Sequence, residues 1–125
     1  TVNSRSIAKN GGVSVYRSSV DIRPEAVNSK SSIICESLMM DNSSRTDTIP
    51  VMDIRNNMVD IGHEAKIGRI SDEAVFYLMT RGIREEEAKA MIVRGFAEPV
   101  AKELPLEYAV EMNRLINLEL EGTIG

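Results

Sequence analysis

With 125 residues and 42% apolar content, the chain can bury the core of one domain, or of a β and an α subdomain sharing one. Its single cysteine excludes an internal disulfide framework, and no run approaches the ~20 apolar residues of a membrane span. Tryptophan is absent, aromatics are 4% and the formal charge is −4, which argues against base stacking and a polyanionic partner.

The charge is unevenly placed. Residues 1–62 hold seven Lys/Arg against seven Asp/Glu, while residues 63–125 hold eight against twelve, so the acidity belongs to the second half. Such acidity reads as a solvated helical face. The chain opens on Thr1 without an apolar signal core, which suggests the tail of something longer, and a lone cysteine fits a reducing cytoplasm.

Residues 1–12 are polar and end in Asn10-Gly11-Gly12, a turn signal. Three segments of short alternating runs follow. They are Val13–Tyr16 with Val20–Ile22, Ile33–Cys35 with Leu38–Met40, and Val51–Ile54 with Val59–Ile61. Val13, Ile33 and Val51 recur at a period of roughly 19 residues, which points to three coils of a β-solenoid. A small sandwich or meander of short strands fits the same runs. Without a cap before residue 13 the coils would leave an unpaired edge, which again points to missing upstream chain.

The seam lies at Val59-Asp60-Ile61-Gly62-His63-Glu64-Ala65, which carries the one histidine of the chain. Beyond Ile70 the spacing becomes helical. Ser71 is placed to cap a first helix that ends at Gly82, with Ala74, Val75, Leu78 and Met79 as its buried stripe and Phe76 and Tyr77 outside it. A second helix begins near Arg84, with Ala88, Met91, Ile92 and Phe96 at core spacing. Gly95 is expected to break it, and Pro99 to start a further turn to Leu104. Pro105 opens a last helix to Glu121, ending at Gly122. Tyr108, Ala109, Met112, Leu115, Ile116 and Leu120 form its wide apolar face, with Asn117 opposite. That face is either core of a helical bundle or the seat of a partner.

Cys35 is a candidate thiolate ligand or a small core residue, and His63 a candidate ligand, proton carrier or structural histidine. Glu64 reads as a surface carboxylate or a further ligand. Adjacent strand residues face opposite ways, so His63 and Glu64 share a site only if Gly62 makes the backbone irregular. Cys35 and His63 are about one and a half of these periods apart, so simple stacking does not bring them together. One thiolate, one imidazole and one carboxylate also fall short of four ligands. Phosphate loops, Gly-x-Ser-x-Gly, Cys-x-x-Cys and His-Glu-x-x-His are absent from the sequence.

Taken together, several motifs resemble the C-terminal part of the SUF iron-sulfur cluster assembly scaffold, the SufB/SufD family. They are Ile33-Ile34-Cys35-Glu36-Ser37-Leu38-Met39, Asp47-Thr48-Ile49-Pro50, Gly62-His63-Glu64-Ala65, Phe76-Tyr77-Leu78, Arg81-Gly82-Ile83, Ile92-Val93-Arg94-Gly95-Phe96, Glu103-Leu104-Pro105-Leu106-Glu107-Tyr108-Ala109 and Leu120-Glu121-Gly122. The resemblance covers roughly residues 10–125. His63-Glu64 with a cysteine at position 35 is similar to SufB, whereas SufD-like chains usually have glycine after that histidine. The departures are Ala97, where some relatives have cysteine, and Arg84, where a Ser or Thr cap is usual.

The resemblance implies a mixed β and α fold: terminal coils of a right-handed parallel β-helix over 1–69, then a small C-terminal helical domain over 70–125. It implies a scaffold rather than an enzyme, with the SufC ATPase docked on the helical domain around Phe76, Tyr77, Arg81, Phe96 and Leu115. It also implies pairing with SufD or a second SufB. Cys35 would be the cluster-related cysteine near that interface, with His63 and Glu64 as ligands or assistants. The iron-sulfur cluster would be transient and completed across the interface, with none expected on the fragment alone. A non-metal-binding SufD-type interaction subunit is the alternative, and a carbohydrate hydrolase lacks the aromatic platforms and carboxylate pair it needs. Leu115→Asp is expected to damage the helical domain or its docking, measured by thermal melting and by ATPase binding.

Overall fold

The structure, a computed structural model, describes residues 1–120. The chain divides into two compact units, one spanning Thr1–Arg69 and one beginning at Ile70.

The first unit is built of five strands: β1 (Val2–Ala8), β2 (Val13–Ile22), β3 (Lys30–Met39), β4 (Arg45–Ile54) and β5 (Asp60–Arg69). Successive strands alternate between two sheets, one ordered β1-β3-β5 and the other pairing β2 with β4. Every pairing is parallel. Along β2 the exposure alternates residue by residue, with Ser14, Tyr16, Ser18, Val20 and Ile22 on the half-buried face. On β3, Ile33, Cys35 and Ser37 are buried at the same period of two.

The repeat is much longer than the spacing of the apolar runs implies. Val2 lies beside Ile33, Val13 beside Arg45 and Lys30 beside Asp60, so the chain completes a full circuit between each of these pairs before it rejoins the same sheet. Runs expected to be separate, such as Val13–Tyr16 and Val20–Ile22, are halves of one strand, β2. Strand β1 falls where a polar lead-in was expected. Its inward positions carry hydroxyls instead of aliphatic groups, so the alternation of hydrophobicity that marks a strand is missing there. Ser6 Oγ meets Ser37 Oγ at 2.8 Å, and Thr46 Oγ1 donates to Ser37 Oγ at 3.0 Å. These bonds satisfy hydroxyls that would otherwise be costly between the sheets.

Stacked corners hold the register. At one end, Met40 N donates to Ala8 O and Arg45 N to Gly12 O, at 2.8 and 2.9 Å. At the other, Asn28 N donates to Met58 O and Asn56 Nδ2 to Pro24 O, both at 2.7 Å. Gly11 has φ +75°, a left-handed conformation that glycine adopts without steric cost. Asp41 ties two corners together. Its carboxylate accepts from Ser43 N, Ser43 Oγ, Ser44 N and Ser44 Oγ, and across the stack from Asn10 N at 2.6 Å.

The second unit holds α1 (Asp72–Thr80), α2 (Glu85–Glu103) and α3 (Leu106–Leu120). Ser71 caps α1 as expected, accepting from Ala74 N at 3.1 Å. Gly82, with φ +86°, ends it: Gly82 N donates to Met79 O and Ile83 N to Leu78 O, the two bonds of a Schellman motif. Arg84 stands at the N-cap of α2 without a side-chain cap bond.

Helix α2 is continuous, so neither the break expected at Gly95 nor the separate turn from Pro99 to Leu104 occurs. Pro99 leaves the Gly95 carbonyl without its helical donor, an interruption of roughly 3 kcal/mol in an isolated helix. Burial of Val93 and Ala97 around it offsets that loss. The buried set is wider than the expected stripe, of which Ala88 is buried and Ile92 and Phe96 are half-buried. Ala88, Ala90, Val93 and Ala97 are buried while Met91 is exposed.

In α3, four of the six residues expected on the apolar face, Ala109, Met112, Ile116 and Leu120, are half-buried. Asn117, expected on the polar side, accepts from Arg94 Nη1 of α2 at 2.8 Å, while Tyr108 and Leu115 are exposed. The expected endpoints Glu121 and Gly122 lie outside the described residues.

The hydrogen bonds from Ser43, Ser44 and Asn10 hold the Asp41 carboxyl well below the usual carboxylate range. A depressed folded-state value contributes stability that is fully present above about pH 4 and is lost as pH falls toward the folded value. Asp41→Asn is therefore expected to lower Tm at neutral pH and to flatten the acid limb of Tm against pH, measured by circular dichroism melts from pH 7 downward.

Candidate functional site

Strands β3 and β5 are adjacent and parallel, with Ile33 beside His63, Ile34 beside Glu64 and Cys35 beside Ala65. A period of two puts Cys35 and His63 on one face, as diagonal neighbours across the strand pair. Cys35 Sγ and His63 Nε2 are 3.7 Å apart, within hydrogen-bond reach for sulfur. Either atom can donate, according to the tautomer of His63. The expectation that stacking would keep these residues apart is therefore corrected, because their separation along the chain falls just short of one true circuit, the step from Ile33 to His63.

The two residues differ in exposure. Cys35 is 2% exposed, and burial pushes its thiol above the ordinary range. His63 is half-buried, and Ala65 next to it on the same strand face is exposed. Among the described residues β5 has β3 as its one strand neighbour, so the site borders the free edge of a sheet.

Glu64 is not brought to this pair. Strand β5 is regular through Gly62, so Glu64 points to the opposite face, where its carboxylate meets Lys66 Nζ at 3.2 Å. Lys66 stands in register with Glu36, and Glu36 pairs in turn with Arg5 of β1. The result is a row of alternating charge across three strands, on the face away from the thiol.

The two donors suit a metal ion chemically and dimensionally. A thiolate sulfur at about 2.3 Å and an imidazole nitrogen at about 2.0 Å from one tetrahedral ion stand about 3.5 Å apart. Among the described residues no three of His, Cys, Asp and Glu converge on one point.

The expected docking residues all lie in the second unit. Phe76 and Tyr77 on α1 are 67% and 56% exposed. Arg81 lies 5.1 Å from the centre of the Tyr77 ring, and its Nη2 donates to the Tyr77 hydroxyl at 2.8 Å. Phe96 is half-buried on α2 and Leu115 is 50% exposed on α3. No helix of the described residues is long and apolar enough to cross a membrane.

Sequence reasoning missed Lys66 as the partner of Glu64, and the Ser6, Ser37 and Thr46 hydroxyl chain on the face that carries Cys35. Serines at every second position, 4 and 6 on β1, were the available signal.

The profile of the SufBD core domain, of SUF system FeS cluster assembly, matches residues 1–96. The chain belongs to the SufBD family. An iron-sulfur cluster assembly SufBD family protein of Staphylococcus aureus strain USA300 is 54% identical over 125 residues, which is all of this chain and 27% of that relative. One from Staphylococcus haemolyticus strain JCSC1435 matches with the same identity and coverage. The chain therefore spans about a quarter of the length of these SufBD relatives.

Burial and the raised thiol both withhold the reactive thiolate. In the folded SufBD chain, Cys35 is expected to react with iodoacetamide at pH 7 at least about a hundredfold more slowly than in denaturant, since access requires local opening. Mass spectrometry against time measures both rates.

Proposed function

We propose that this chain is the SufB-type end of a non-enzymatic scaffold on which an iron-sulfur cluster is assembled, acting in the cytoplasm. The observation that carries the reading is the Cys35–His63 pair, 3.7 Å apart beside an unpaired sheet edge. A thiolate is the soft donor that iron-sulfur chemistry uses, and a histidine ligand keeps the cargo exchangeable. Two donors leave the set incomplete, and SufD or a second SufB pairing at the β5 edge would complete it. Glu64 assists from the outer face, through Lys66 and the strand it belongs to. The cluster is cargo of the assembled complex, and the isolated chain is not expected to retain one.

The alternating parallel sheets and stacked corners are what terminal coils of a right-handed β-helix require, and residues 1–69 are proposed as that part. Residues 70–125 are proposed as the helical domain that docks the SufC ATPase. Support comes from exposed Phe76, Tyr77 and Leu115, and from Leu106 at 76% exposure. Exposed large apolar side chains in such number mark an interaction surface. A SufD-type interaction subunit without metal chemistry is the second reading, favoured by the position of Glu64 away from the thiol.

Cys35→Ala in the full-length protein separates the two. The scaffold reading expects loss of cluster formation, followed by absorbance and iron content, and unaffected formation overturns it. Light scattering after size exclusion, with and without the SUF ATPase, tests docking. Because Leu115 is half exposed, Leu115→Asp is expected to cost about 1 kcal/mol of stability or less and to weaken the mixed complex. A complex unchanged by Leu115→Asp removes that residue from the docking surface.

A further inference from the structure

Two asparagines of the β unit hold a positive φ, Asn10 at +55° and Asn28 at +60°, and both are exposed. The residue that follows sets them apart. Asn28 precedes Ser29, whereas Asn10 precedes Gly11, itself at φ +75°. Gly12 N donates to Lys9 O at 2.9 Å, so residues 9–12 form a β-turn with Asn10 and Gly11 at its centre and the left-handed angles of type I′. The bond that closes this turn uses the Gly12 amide, not that of Gly11. An asparagine side-chain amide is open to attack by the backbone nitrogen of the next residue, and glycine has no Cβ to crowd that approach. Closing the resulting five-membered ring requires the link between Asn10 and Gly11 to rotate out of the turn. Two bonds resist the rotation: the turn bond, and the bond from Asn10 N to Asp41 Oδ2, 2.6 Å long.

We propose that Asn10-Gly11 is a site of spontaneous deamidation, that the hold of Asp41 on this corner sets its rate, and that its product loosens the corner. The Gly11 nitrogen attacks Asn10 Cγ. The new N–C bond forms, the C–NH2 bond breaks, and ammonia leaves with the proton that Gly11 gives up. Water then opens the cyclic imide at one of its two carbonyls and gives aspartate or isoaspartate, with no change in oxidation state. Both products add a carboxylate to the corner where Asp41 already holds one, and like charges there repel. Isoaspartate also adds a backbone methylene between Asn10 N, bonded to Asp41, and Gly12 O, which accepts from Arg45 N at 2.9 Å. The link that spaces these stacked corners is then one atom too long. The inference is independent of the scaffold reading.

The full chain is kept folded at mildly alkaline pH, sampled over time and digested, and mass spectrometry follows the amide-to-acid mass gain at each asparagine. Expected is conversion at Asn10 about tenfold or more faster than at Asn28, rising with pH and accelerated severalfold in Asp41→Asn. Asn10→Gly retains the turn, since glycine adopts the same angles, and abolishes the mass gain in that peptide. The separated isoaspartyl form is expected to melt below the parent by circular dichroism. The same spectra establish that Asp41→Asn is folded, and Ser43→Ala, which removes one bond to the Asp41 carboxylate, replaces it if it is not. An Asn10 that stays intact in the folded parent while the denatured chain converts, equal conversion at Asn10 and Asn28, a rate unmoved by loosening Asp41, or an isoaspartyl form that melts with the parent overturns the proposal.

Discussion

The rest of the β unit depends on the parallel ladder that returns the chain to the same sheet once per circuit. Each return stacks one corner on the previous one, and backbone bonds across the corners fix the step. A slip of one residue between β3 and β5 would turn His63 to the outer face and bring Glu64 to the thiol side. The identity of the candidate metal donors is therefore a property of register. The corner bonds of Asn28 to Met58 and of Asp60 to Ser29, immediately before β5, hold that register close to the site.

Each face of β5 has a different task. The inner face carries His63 toward a buried thiol, among side chains that include serine and threonine hydroxyls. The outer face carries Glu64 and Lys66 into a charged row with Glu36 and Arg5. Exposed ion pairs of this kind contribute little stability singly, on the order of 0 to 1 kcal/mol. Their stronger effect is on pairing, since opposite charges in register disfavour a shifted strand.

The helical unit follows a different logic. Its buried residues are mostly small, Ala88, Ala90, Val93 and Ala97 of α2 among them. The large side chains are on the outside, Phe76, Tyr77, Leu106, Tyr108 and Leu115 among them. Such a unit presents more apolar surface than its own packing uses. The chain belongs to the SufBD family and covers 27% of the length of the relatives it matches.

The sequence by itself determined the division into strands and helices, the Ser71 cap, the Gly82 stop, and Cys35, His63 and Glu64 as the residues worth watching, because these depend on local chemistry and spacing. It also carried enough ordered motifs to point to the family. The repeat length was not legible, because a serine-lined strand hides its period and a long strand with a polar middle, such as β2, reads as two short ones. The place of Asn117 was not legible either, since its bond from Arg94 is made between helices and leaves no periodic trace. Tertiary register alone decided that Cys35 and His63 meet and that Glu64 does not, because proximity across parallel strands is set by how much chain one full circuit consumes.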